Sequence, residues 1–152
     1  MSGPPVFSIF LAGEPVPASR PRVTKWGTHN SPRYERWKRD ATLILASRWR
    51  HLPISTAAAV CVEVVLPRPQ RRPSTGQHAR FWHPVEDYPL PIGGKWGDLD
   101  NYVKAALDAL QSARVITDDC IVVELTATKH AGSQPGVHIT VSLVEPDEPD
   151  EE

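Results

Sequence analysis

Hydrophobic positions along the chain fall into six runs separated by proline- and glycine-rich stretches. Residues 6–11, VFSIFL, are β-branched and aromatic and predict a first strand. From Arg33 to about His51 the period changes. Trp37, Ala41, Ile44, Leu45 and Trp49 recur at helical spacing, with Arg36, Lys38, Arg39 and Arg50 mostly off that stripe. Pro53 closes this helix. Residues 57–66, AAAVCVEVVL, predict a buried strand ended by Pro67 and Pro69. A second helix is expected over 101–113, with Val103, Ala106, Leu107 and Leu110 as its buried stripe. Strands over 120–129 and 137–144 follow, joined by a turn from Gly132 to Gly136. The order strand, helix, strand, long loop, helix, strand, strand is that of an α+β domain. A single sheet of mixed direction is expected, with two main helices packed mainly against one face.

Two segments fall outside this pattern. Residues 12–32 hold Gly13, Pro15, Pro17, Pro21, Gly27 and Pro32, so an irregular, exposed loop is expected there. Residues 67–97 form a second, much longer loop, rich in proline and arginine; a loop of that length in a compact domain is functional or disordered. With 152 residues, residues 1–144 are expected to form one domain with a core of its own. No run approaches the roughly 18 apolar residues that span a bilayer, and no basic segment followed by an apolar run opens the chain. Only Cys61 and Cys120 are present, both inside apolar segments, so a disulfide framework is not expected. A soluble intracellular protein without membrane partners is the expectation.

The charge sharpens the picture. The formal net charge is −1, but residues 145–152, EPDEPDEE, carry six acids and no base, and a disordered tail is expected. Residues 1–50 hold nine bases against three acids, while residues 98–144 hold six acids against three bases. A basic arm beside an acidic centre suits a protein that grips a polyanion and performs metal chemistry on it; an unevenly charged solvated surface is the plainer alternative. In the first loop, Arg20, Arg22 and Lys25, with Arg33 just beyond it, can neutralise phosphates, and Trp26 can stack on a base or anchor the loop on the core. Arg68, Arg71, Arg72 and Arg80 give the second loop the same character.

The chemistry concentrates in residues 98–119, DLDNYVKAALDALQSARVITDD. If residues 97–100 are extended, Asp98 and Asp100 face outward together, with Leu99 turned into the core. Adjacent carboxylates repel unless a cation lies between them. Lys104 falls about 40° round the helix from Asp100. Asp118 and Asp119 follow at the start of a strand, where the chain can return to the same point. Carboxylate oxygens with one lysine suit Mg²⁺, or Mn²⁺, for phosphodiester hydrolysis, the lysine stabilising charge in the transition state. The same residues also fit a structural role: Asp100 as a helix cap, Asp100–Lys104 as an ion pair and Asp118–Asp119 as a turn.

The run from Asp98 through Leu110, followed by Asp118-Asp119, resembles the RusA family of Holliday junction resolvases, found largely in phages and prophages. The likeness extends to Gly13–Arg22, the helix start at Tyr34–Trp37, the long loop before the aspartates and Pro135–Val141. It departs at Gly97, where proline is common, and at Cys120-Ile121, which replace a small residue and glutamine. The resemblance implies a homodimeric, Mg²⁺- or Mn²⁺-dependent endonuclease that cuts four-way DNA junctions symmetrically in recombination and repair, in the cytoplasm of a bacterium or infected host. It matches Asp98, Asp100 and Asp119 to metal-binding aspartates and Lys104 to the lysine associated with catalysis, with Asp118 the weaker candidate for the third aspartate. A nuclease for other branched DNA and a non-catalytic DNA-binding homologue are the alternatives.

Overall fold

The computed structural model describes residues 2–19, 22–68 and 90–149, with the backbone alone at Arg22 and His29. Strand β1 (Ser2–Ala12) is followed by a small hairpin, β2 (Arg22–Thr24) and β3 (Gly27–His29). Helix α1 (Pro32–Arg48), strand β4 (Ala58–Pro67), helix α2 (Leu99–Ser112), and strands β5 (Val122–Gly132) and β6 (Gly136–Val144) complete the chain. The order in the main sheet is β1-β6-β4-β5. β6 runs antiparallel to both β1 and β4, whereas β4 and β5 are parallel, so the sheet is mixed as expected. Residues 133–135 carry the chain past the end of β4, since Gly132 pairs with Pro67 and Gly136 with Val65.

Strand alternation sorts the sheet into two faces. Ile9, Leu11, Val60, Val62, Val64, Val137, Ile139 and Val141 are buried and meet Ala41 and Leu45 of α1 and Ala106, Ala109 and Leu110 of α2. Intervening residues such as Ser8, Cys61 and His138 lie on the uncovered face. Both helices therefore cover one side, the α+β arrangement expected from the sequence. Trp37 and Trp49 pack against the core as partly buried rings, but Ile44 of the expected stripe is 42% exposed. Trp49 has left the helix and caps its end, and its Nε1 donates to the Leu52 carbonyl at 3.2 Å.

Two expectations need correction. The segment 12–32 is not wholly irregular. Gly27 takes φ 124, the Thr24 hydroxyl donates to the Gly27 carbonyl at 3.1 Å, and the Trp26 amide donates back to that hydroxyl, closing a two-residue turn that joins β2 and β3. Asp118 and Asp119 do not begin a strand. They enter a short 3₁₀ turn, Asp119–Ile121, ahead of β5. Both cysteines are free, as expected, and exposed. The long loop is described only at its ends, because residues 69–89 lie outside the described residues; Gly94–Trp96 form a 3₁₀ turn before α2. Residues 145–149 are exposed and without regular structure.

The two helices are bound through a polar contact inside an apolar seam. The Tyr34 hydroxyl on α1 donates to Asp108 Oδ2 on α2 at 2.7 Å. Burial, then the Asp108 carboxylate, push the phenol above its ordinary value of 10.0. Tyr34→Phe would leave a carboxylate without its donor and cost about 1.5–3 kcal/mol. The pH dependence has a definite sign. The folded protein keeps the Tyr34 proton where the unfolded chain loses it, so this stability is full below pH 10.0 and fades as pH rises through the higher folded value. Thermal stability of wild type should fall above pH 10.0, and more shallowly in Tyr34→Phe. Tyr102, also raised by burial, adds to the alkaline loss.

The candidate active site at the head of helix α2

The site is built around the start of α2. Gly97 holds φ 76, a left-handed conformation that glycine adopts readily. A Cβ there would lie 2.8 Å from the Tyr102 hydroxyl. The chain is held on both sides of this kink. The Tyr102 hydroxyl donates to the Trp96 carbonyl at 2.6 Å, and Lys129 Nζ on β5 donates to the Gly97 carbonyl at 2.7 Å. Two consecutive carbonyls are thus fixed by side chains from different elements immediately before Asp98. A cavity of about 370 Å³ opens alongside, lined in part by Gly97, Trp96, Tyr102 and the Arg33–Glu14 ion pair (3.0 Å).

Asp98 is the N-cap of α2, with extended φ −88 and ψ 138, but its side chain makes no capping hydrogen bond. The backbone turns helical at Leu99, so the extended 97–100 geometry expected from the sequence is replaced by a helix beginning two residues earlier than predicted. Asp98 and Asp100 are nonetheless both exposed, and Leu99 is partly buried. Among the described residues neither carboxylate accepts a hydrogen bond, and Asp100 makes no ion pair with Lys104, which is also exposed. The cap and ion-pair roles open to Asp100 and Lys104 from sequence alone are therefore unused. Among the described residues these groups have no partner, and they lie beside the positive end of the α2 dipole.

The second acidic pair arrives by a tight helix exit. The Val115 amide donates to the Leu110 carbonyl and the Arg114 amide to the Gln111 carbonyl, the paired bonds of a Schellman ending, with Arg114 at φ 61 in the position that glycine favours. This turns the chain back, buries Val115 and Ile116, and leaves Asp118 and Asp119 exposed. The Cys120 amide donates to Asp118 Oδ1 at 2.9 Å and holds that carboxyl below its ordinary value. Sharing a hydrogen bond with Asp118, and facing its charge and that of Asp108, Asp119 is pushed the other way. The two carboxyls are therefore unequal: Asp118 is engaged with backbone, while Asp119 lies in the negative field of its neighbours.

The four candidate residues are exposed, but they are not drawn into a closed cluster. Among the described residues no three His, Cys, Asp or Glu side chains stand together as metal ligands. The donor chemistry suits a hard divalent cation, since Asp98 and Asp100 offer exposed carboxylate oxygens that have no partner among the described residues. Of the expected DNA contacts, Lys25 is exposed and Arg33 is paired with Glu14. Arg22 is described by its backbone alone, and Arg20, Arg71 and Arg72 lie outside the described residues. Sequence reasoning missed Tyr102 and Lys129. The signal for Lys129 was a cation in register with buried Val64, on the inward side of its strand.

A mixed sheet covered on one face, with exposed carboxylates and a lysine at the head of a helix, defines a small α+β domain whose acidic groups could meet a cation. The family model of endodeoxyribonuclease RusA matches residues 12–142, and the chain belongs to that family. It is accordingly a nuclease acting on DNA. A search of curated proteins found no match. No helix among the described residues is long and apolar enough to cross a membrane.

Proposed function

We propose that this nuclease is a structure-selective endonuclease that resolves four-way DNA junctions by paired, symmetric incisions, acting as a homodimer in the cytoplasm during recombination and repair. The observation that carries the reading is the exposed group Asp98, Asp100 and Lys104 at the head of α2, without partners among the described residues, in a chain of this family. Asp98 and Asp100 would hold the cation, Mg²⁺ or Mn²⁺, and Asp119, which is not grouped with them among the described residues, would join as a third carboxylate when the ion binds. When bound, that ion supplies charge neutralisation and an acidified water. Lys104 stabilises the charge that builds on the phosphate. Lys129 and Tyr102 hold the backbone that presents Asp98. Basic side chains of the first loop, and of the long loop, grip phosphates without reading sequence.

One domain offers one set of these groups, so two symmetric cuts require two copies related by a two-fold axis. A supercoiled plasmid that extrudes a cruciform tests this directly. Paired cutting within one bound complex yields linear product from the start of the reaction, and sedimentation gives twice the chain mass. Nicked circle accumulating ahead of linear product, together with a monomer mass, would contradict it.

A further inference from the structure

Among the described residues Trp26 stands apart from the other tryptophans. Trp37, Trp49 and Trp96 pack against the core. Trp26 is 81% exposed at the tip of the β2–β3 hairpin, and Val23 beside it is 84% exposed. An indole left in water forgoes roughly 1.5–3 kcal/mol of burial, so at the tip it contributes nothing to the folded core and is free to meet a ligand. The tip is also held in place. Thr24 bonds both the Trp26 amide and the Gly27 carbonyl, and at the base of the excursion the Ser31 amide donates to the Ser19 hydroxyl at 3.3 Å.

We propose that the hairpin carries a base-stacking tip, in which the Trp26 indole inserts against a base exposed at the branch point of the DNA. The proposal rests on the branched-DNA reading above. Three observations select a nucleic acid as the occupant. Lys25 Nζ lies 5.1 Å from the centroid of the Trp26 ring, so the platform is cationic. No acid occurs between Glu14 and Glu35, whereas Arg20, Arg22 and Lys25 lie in that interval beside the Glu14-paired Arg33, so the excursion is basic and attracts phosphate. The hairpin also rises from the site itself: the Ala18 amide donates to the Asn101 carbonyl, next to Asp100, at 3.0 Å. Eight residues separate Ala18 from Trp26, a reach of no more than about 29 Å. The tip can therefore touch the same junction whose backbone lies at the head of α2. In a linear duplex every base is stacked on both sides, and the indole finds no open face. At a branch the terminal pairs offer one, and stacking on it is tolerant of sequence.

The test uses a four-way junction carrying 2-aminopurine at the branch point, a linear duplex carrying it internally, and wild type, Trp26→Ala and Trp26→Phe, all in EDTA. Wild type is expected to change the branch-point emission and leave the duplex probe unchanged. Trp26→Ala is expected to lose the emission change and bind the junction roughly 5- to 100-fold more weakly. Its duplex affinity and melting temperature stay at the wild-type values. Trp26→Phe keeps part of both effects. If wild type prefers the junction and Trp26→Ala shows the same preference and emission change, the stacking tip is wrong while the branched-DNA reading stands. If wild type binds junction and duplex equally, the branched-DNA reading fails and the tip falls with it.

Discussion

Asp98→Asn and Asp100→Asn are expected to cut junction DNA at least a hundredfold more slowly than wild type while binding it as well or better. An amide oxygen is a poorer donor to a hard cation than a carboxylate, so divalent-metal affinity measured by calorimetry should drop in both. Loss of the acidified water then removes most of the rate. Binding in EDTA should hold or tighten, because each change takes one negative charge away from the incoming phosphate. Asp119→Asn should behave in the same way. Lys104→Ala should lose roughly 10²–10³ in rate by a different route, through lost stabilisation of transition-state charge, and raising Mg²⁺ should not restore it. The structure adds a stability criterion. The Asp98 side chain makes no capping hydrogen bond and Lys104 makes no ion pair with Asp100, so these variants should melt close to wild type. A working cap would have cost about 1 kcal/mol on removal. Near-wild-type cutting by Asp98→Asn or Asp100→Asn would remove this group as the active site.

The second large effect is expected at Gly97. Alanine there must adopt φ 76 and place a Cβ 2.8 Å from the Tyr102 hydroxyl. The strain should cost about 1–3 kcal/mol. In a chain of this size that lowers the melting temperature by roughly 3–10 °C. Relief of the clash moves the Tyr102 ring or the Gly97–Asp98 backbone, and a displacement near 1 Å can cost about a hundredfold in rate. Lys129→Met should reproduce the kinetic part, because it frees the Gly97 carbonyl without altering the backbone preference. The loss should fall on kcat more than on KM, and Lys129→Arg should recover part of it. A Gly97→Ala protein that melts and cuts like wild type would show that the kink does not position Asp98.

The elements with long, clean periodicity were legible in the sequence. The stripe Val103, Ala106, Leu107, Leu110 locates α2, and the alternation in VHITVSLV locates β6, because in both the apolar period matches the geometry of the element. The hairpin was not legible. Its strands are three residues each, Val23, Thr24 and Thr28 are exposed, and what holds the turn is a glycine at positive φ with a threonine hydroxyl, neither of which leaves a hydrophobic period. The shape of the site was legible only in part. The spacing of Asp98, Asp100 and Lys104 places them together at one helix end, but the extended entry inferred for residues 97–100 overlooked the ability of Asp98 to serve as N-cap through its backbone alone. The clamp on Gly97 joins residues 32 positions apart, and a contact of that kind has no local signature beyond an inward-facing lysine.

The most direct measurement is cleavage of a synthetic four-way junction and a linear duplex of the same sequence, each with Mg²⁺ and with EDTA. The junction should be cut in Mg²⁺ at symmetric positions on two opposing strands, the duplex should stay intact, and EDTA should stop the reaction. Equal cutting of junction and duplex, or cutting that persists in EDTA, would contradict a metal-dependent, junction-selective nuclease.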